Sequence, residues 1–377
     1  MDVLVTVLLV IVFALVFDFT NGFHDTANAM ATSVATGALK PRTAVLISGV
    51  LNLVGAFLNT AVASTVSQGI VREGENGVEI TPALIFAGLV GAILWNLITW
   101  YLGLPSSSTH ALFGGLIGAA IIGAGFGAID FGTVLTKIVI PALLAPFTAG
   151  LVALVATYLV YRISRGGLKN SARGFRTAQT VSASLVSLAH GTSDAQKTMG
   201  VITLTLIAAK YQDSGTGPQF WVILACGLAI ALGTYLGGWR IMRTVGKRIT
   251  DVEPPQGFAA ETAGAATILA SSSLGFALST TQVVTGSVIG SGVGKRLSSV
   301  HWGTAGRMAL AWIVTLPSAA VIGAVAALVA ASSTLGLIAI AVLAVVGIGT
   351  IYLLSRRNPV TAKNVNEAPE REKVGTV

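Results

Sequence analysis

Between Phe17 and Leu39 the chain reads "FDFTNGFHDTANAMATSVATGAL", placing Asp18, Asn21, His24, Asp25 and Asn28 close together. Carboxylates, an imidazole and amides at this spacing are the groups that hold small cations or move protons. A second stretch, "AHGTSDAQKTMG" from Ala189 to Gly200, carries His190, Asp194 and Lys197. On a helix Asn28 lies three residues after Asp25 and Lys197 three after Asp194, so each pair shares a face. Two further stretches offer hydroxyls instead of charge. "PSSSTHALFGG" supplies Ser106, Ser107, Ser108 and Thr109 directly after Pro105, and "LSTTQVVTGS" supplies Ser279, Thr280 and Thr281. Hydroxyls and free N–H groups at a helix N-terminus suit a tetrahedral oxyanion, because donors and helix dipole converge on it. Structural readings stand beside these: an aspartate can cap the helix that follows, and Ser or Thr can bond back to its own turn or join helices. Two hydroxyl runs, repeated in register with two aspartate runs, favour a site.

The elements that must position these groups lie in a membrane. Of the 377 residues 53% are hydrophobic and 10% charged, against roughly 25% charged in a soluble domain. The mean hydropathy is +0.80. Apolar runs long enough to cross a bilayer, about 20 residues each, occur near 3–20, 44–69, 83–103, 134–161, 219–239, 258–278, 306–330 and 336–354. Weaker, polar-interrupted segments lie near 24–36, 105–125, 178–209 and 280–294. An ionised carboxylate at that depth is expensive and by default marks function, which singles out Asp25 and Asp194. The net charge of +8 sits in short loops and tracks orientation, not nucleic acid. Lys40, Arg42, Arg162, Arg165, Lys169, Arg173, Arg176, Arg240, Arg243, Lys247, Arg248, Lys295 and Arg296 mark cytoplasmic connections, whereas loops 70–82, 126–132, 210–218 and 331–335 are poor in Lys and Arg. The N-terminus is then outside and the polar tail inside, the tail expected to be disordered. The single cysteine, Cys226, forms no disulfide within the chain.

A shift of 169 residues lays Gly22, Asp25, Asn28 and Met30 over Gly191, Asp194, Lys197 and Met199. A shift of 172 lays Ser107, Thr109, Gly114 and Gly118 over Ser279, Thr281, Gly286 and Gly290. The chain is therefore duplicated, and the loop charges give the halves opposite directions, the pattern of secondary transporters. The expected fold is an all-α polytopic membrane protein of two inverted-topology repeats, with broken helices, re-entrant helical hairpins and about 10–12 membrane segments. Gly22 and Gly191 are expected to break their helices. The expected divisions are an N-terminal membrane repeat (1–161), a basic cytoplasmic linker (162–177), an inverted C-terminal repeat (178–330), an additional span (331–355) and a cytoplasmic tail (356–377).

"NGFHDTANAMA", "AHGTSDAQKTMG", "PSSSTHALFGGLIG" and "LSTTQVVTGSVIG", in this order of type, resemble the paired signatures of the inorganic phosphate transporter (PiT) family. "GGWRIMRTVGKRITDVEPPQGFAAE" resembles the stretch that precedes the later pair, so the likeness covers residues 10 to 330. It implies a phosphate permease coupled to sodium or protons, with a central site. Carried over by position, Ser107, Ser108, Thr109, Ser279, Thr280 and Thr281 would hold phosphate, with Asn28 beside them. Asp25, Asn28 and Asp194 would belong to the ion-coupling region, with Glu261 a further coupling candidate or else a charge at the cytoplasmic end.

The departures from the family bear on the coupling ion. His24 precedes Asp25, Ser193 precedes Asp194, and Lys197 replaces the amide that sodium-coupled members resemble in the second copy. Asn52 stands where those members resemble an acidic residue. A lysine beside Asp194 places a fixed positive charge where a cation would sit. The expectation is proton rather than sodium coupling, with a divalent metal–phosphate complex as one form of the cargo. His24 and His190 flank the aspartates as proton relays or as neutral hydrogen-bonding partners. No resident cofactor or metal is expected; the partners are phosphate and the lipid bilayer, with a homodimer open. A sodium-coupled symporter and a sulfate permease are the rival readings, and a channel is excluded only by uptake against a gradient. An intramembrane aspartyl protease is disfavoured, since its Gly-x-Gly-Asp context is absent and Lys197 adjoins Asp194. The chain is therefore not expected to be an enzyme.

Overall fold

A computed structural model describes residues 3–69, 80–163, 168–296 and 299–367. Most of loop 70–82, Arg165, the side chain of Lys169 and the tail beyond 367 lie outside the described residues. The first repeat contains α1 (Val3–Ala35), α2 (Pro41–Ala56), α3 (Ala61–Gly69), α4 (Pro82–Leu102), α5 (Ser108–Ala124) and α6 (Phe131–Ile163). The second contains α7 (Leu168–Ala208), α8 (Phe220–Leu236), α9 (Trp239–Lys247), α10 (Pro254–Ser273), α11 (Thr280–Lys295) and α12 (Trp302–Ala330), and α13 (Thr334–Ser355) follows. Among the described residues, five helices are long and apolar enough to cross a membrane, or seven if each of two bent pairs is one span. The short apolar helix α5 and the more polar α7, α10 and α11 build the interior.

Local sequence explains where these helices start and stop. Proline at the first turn opens α2, α4 and α10, where its missing N–H costs nothing. Gly103, at φ 68°, closes α4 in the left-handed conformation. The short connections 103–107 and 274–279 then fold α4–α5 and α10–α11 into helical hairpins whose turns hold the two hydroxyl runs.

Helices α1 and α7 form the centre. From Phe17 to Val34 every residue of α1 except Phe19 and Phe23 is buried, whereas its first turns expose Val3, Leu4, Val5, Leu8 and Val12. A helix enclosed on all sides belongs to the interior, and apolar exposure on the outer helices suits lipid. The two repeats interlock: α1 packs on α8 while α7 packs on α2, and α5 packs on α12 while α11 packs on α6.

The helix breaks expected at Gly22 and Gly191 are not there. Both α1 and α7 run continuously through these positions. Glycine is needed instead for close approach, because a Cβ on Gly22 would collide with the Ile230 carbonyl and one on Gly191 with the Asn52 carbonyl. The broken elements are α2–α3 and α8–α9, bent by 69° and 68° respectively.

Two other regions also differ from expectation. Helix α7 begins at Leu168, so the later part of the basic linker is its first turns and not a loop. Residues 356–367 of the tail are held against α9: Arg240 donates to the carbonyls of Ser355 at 2.8 Å and Asn358 at 2.7 Å, and Arg243 to that of Asn364 at 2.7 Å. Val365, within this segment, is buried. Polarity argued for disorder, but backbone carbonyls are good acceptors for guanidinium groups regardless of the side chains around them.

Candidate functional site

The tips of both hairpins meet the middles of α1 and α7. Ser108 donates to Asp25 Oδ2 at 2.9 Å, and its counterpart Thr280 donates to Asp194 Oδ2 at 2.9 Å. The next hydroxyl on each tip reaches the opposite repeat. Thr281 contacts Asn28, which donates to its Oγ1 at 2.9 Å, and also donates to Asp25 Oδ1 at 3.2 Å. Thr109 accepts from Lys197 Nζ at 2.6 Å. Asp25 is thus bonded by both hairpins, which brings the N-termini of α5 and α11 to one place.

Lys197 has three acceptors: the Asp194 carboxylate, Thr109 Oγ1 and, at 3.0 Å, the Leu278 carbonyl. Its side chain is 1% exposed and that of Asp194 is fully buried. Such a pair resists separation, because removing either member strands a charge in low dielectric. Its equivalent in the first repeat is the neutral Asn28, whose Oδ1 has no partner.

Histidines connect the two aspartates. His24 Nδ1 lies 2.6 Å from Asp25 Oδ1, and its Nε2 approaches Ser106 Oγ at 3.3 Å and Thr99 Oγ1 at 3.4 Å. His190 Nε2 stands 3.0 Å from Asp194 Oδ2 and 4.0 Å from Asp25 Oδ2, close but without hydrogen-bond alignment. Asp25, His190 and Asp194 each bring one such atom within 4.8 Å of the others, so all three compete for the same positive charge.

The remaining expected residues sit differently. Ser107 and Ser279 do not face the cluster: each caps its helix, accepting from His110 N at 3.1 Å and Gln282 N at 3.3 Å respectively. An N-cap oxygen is directed at its own first turn, and neither serine bonds Asp25 or Asp194. Glu261 is buried, but apart from the aspartates. It accepts from Thr32 at 2.6 Å, Ser33 at 2.7 Å, Gln179 at 3.1 Å and Ser182 at 2.5 Å. It lies outside the central cluster, about two turns from the start of α10. Sequence reasoning missed Thr99 and Thr234; Thr234 accepts from Asn52, which in turn meets His190 Nδ1 at 3.2 Å. Their signal was weak, since a lone threonine in an apolar helix ordinarily bonds to its own turn.

A sequence profile described as the phosphate transporter family matches residues 21–173 and again 166–323. The chain belongs to the phosphate transporter family. The double match reproduces the internal duplication. A Mycobacterium bovis protein described as a probable low-affinity inorganic phosphate transporter is 53% identical over 371 residues, covering 95% of this chain and 86% of its own. A Bacillus subtilis protein of the same description is 44% identical, with 86% and 98% covered. A solved structure titled the sodium-dependent phosphate transporter matches with a TM-score of 0.75 and 25% identity, over 85% of this chain and 98% of that one. Phosphate transporter membership thus rests on most of the chain's length, and this protein is a multi-pass membrane member of the family.

Proposed function

We propose that this phosphate transporter imports inorganic phosphate by proton symport, and that protonation of Asp25 opens its anion site while Asp194 stays paired with Lys197. One observation supports this above others: the hydroxyls suited to hold an anion donate to the two carboxylates. Ser108 and Thr281 bond Asp25, and Thr280 bonds Asp194. An ionised carboxylate accepts only, so it occupies these donors and repels an anion; a protonated one has an O–H to give. Adding a proton therefore frees the hydroxyls for phosphate and removes the repulsion in one step. The N-termini of α5 and α11, with their outward N–H groups and positive dipole ends, then face the anion.

Sodium needs several oxygens around one point. Lys197 fills the corresponding place in the second repeat with its own ammonium, bonded to three oxygens. That occupancy favours protons over sodium here, although a structural relative is titled as sodium-dependent. Phosphate is favoured over sulfate because a protonated phosphate donates a hydrogen bond to a carboxylate, which sulfate cannot do. The loop charges support an N-terminus outside and a C-terminus in the cytoplasm, which suits a plasma-membrane importer.

The test is radiolabelled phosphate uptake into proteoliposomes under separately imposed proton, sodium and magnesium gradients. Uptake driven by a proton gradient, abolished by a protonophore and unchanged when choline replaces sodium is the expected result. Strict sodium dependence refutes it. A magnesium requirement identifies the metal–phosphate complex as the cargo.

A further inference from the structure

Asp18 takes no part in the cluster described above. It is fully buried, and neither of its carboxylate oxygens makes a hydrogen bond. Three other buried side chains in the same part of the fold share this property: Asn21 and Asn96 have no partner for either amide atom, and Thr198 none for its hydroxyl. The Thr198 hydroxyl lies beside the Asp18 carboxylate without meeting full hydrogen-bond geometry. Helices α1 and α4 run in parallel, matched at Phe13 with Phe86 and at His24 with Thr99, and that register sets Asn96 level with Asn21. Unbonded polar groups are uncommon in protein interiors, and a cluster of them points to something that visits.

Position along the helix says what visits. Asp18, Asp25 and Thr32, the last a ligand of Glu261, are spaced by seven residues, so they lie on one face in steps of about 10 Å. Glu261 has four donors and Asp18 has none. Lys40 and Arg42 mark the far end of α1 as cytoplasmic, so Asp18 is the stage on the outer side of the central site. A carboxylate buried without donors requires a positive ligand. The titratable groups facing it are Asp194 and Lys197 from α7 and Cys226 from α8; along α1 the next inward is Asp25, and α4 presents the neutral Asn96. The ammonium of Lys197 opposes a second metal cation nearby, whereas a proton needs no shell of converging oxygens.

We propose that Asp18, lined by Asn21, Asn96 and Thr198, is a proton-loading site on the outer side of the membrane, from which the coupling proton passes inward to the aspartate cluster. A hydronium ion transfers its proton to a carboxylate oxygen of Asp18 and leaves as water; the same O–H bond breaks when the proton moves on. This assignment rests on the proton-coupled reading.

Full-length wild type, Asp18→Asn and Asp18→Glu are compared in proteoliposomes, each first checked by size-exclusion chromatography. Asp18→Asn is expected to lower proton-driven phosphate uptake at least 10-fold and flatten its pH profile. Asp18→Glu is expected to restore uptake to within about threefold, with a displaced profile. Infrared difference spectra across a pH step should show a carboxyl C=O band in wild type that Asp18→Asn lacks. An Asp18→Asn protein with wild-type uptake and pH profile, in a wild type that is proton-driven, overturns the site and leaves proton coupling standing. Sodium-driven uptake by wild type overturns both. Should Asp18→Asn fail to fold, an Asp18→Glu profile identical to wild type overturns the assignment and a displaced one supports it.

Discussion

Adjacent hydroxyls at the hairpin tips have unlike work. Ser107 caps α5, whereas Ser108 touches Asp25. Replacing Ser107 with alanine should cost about 1 kcal/mol, the usual value of an N-cap, and lower the melting temperature in detergent with a smaller change in KM. Ser108→Ala should do the reverse, raising the KM for phosphate several-fold with little effect on melting. Equal changes in KM for the two variants would refute the division. Sequence alone made the hydroxyl run conspicuous but could not divide it. Neighbouring residues on a helix terminus differ in direction by a third of a turn, and only the packed hairpin shows which faces Asp25. Lys197 was more legible: its place three residues after Asp194 predicted the ion pair, and both side chains are buried in it. The other acceptors, Thr109 and the Leu278 carbonyl, come from a distant element and left no local trace.

Helices α1 and α7 show how one residue type supports opposite inferences. Glycine followed by a buried aspartate suggested a break at membrane depth; the glycines instead allow a neighbouring backbone carbonyl to approach. Both roles need the missing Cβ, so no inspection of "NGFHD" distinguishes them. The true breaks, after Ala56 and Leu236, are repeated in the two halves. Gly191→Ala is expected to destabilise the protein by about 1–3 kcal/mol, the range for overpacking a filled interior. Its effect should appear as a lower melting temperature, and an unchanged one would show that α2 can move away from α7 at no cost.

At the scale of the whole molecule, one carboxylate at the start of α10 joins the two repeats. Glu253, which caps α10, accepts from Lys295 Nζ at 2.6 Å and from the Tyr161 hydroxyl. Partial burial alone would raise the Glu253 pKa, but the bonds from Lys295 and Tyr161 outweigh it and hold the carboxyl below its ordinary value. A depressed carboxylate pKa stabilises the fold above the unfolded pKa, and that stability is lost as pH falls through the folded one. Glu253→Gln should therefore melt below wild type at pH 7, with the gap closing in acid below the ordinary carboxylate range. Because Glu253 and Lys295 are half and nearly one-third exposed, the gap should be small and shrink in high salt. A gap that persists in acid would show that the linkage acts through shape, not charge.

The ion pair of Lys197 also sets a limit on accumulation. A cation that crosses with its cargo adds its own electrochemical drop to the driving force, about 2.3 kcal/mol per charge at 100 mV. The Lys197 ammonium is fixed to α7 and pairs with Asp194, so under the proposed mechanism it compensates that carboxylate without crossing. Under the proposed proton coupling, and relative to a carrier that fills this position with a mobile ion, the attainable ratio of phosphate inside to outside would be lower by about 50-fold at 100 mV. The lysine would then make each turnover cheaper in ions, and the phosphate store it can build correspondingly shallower.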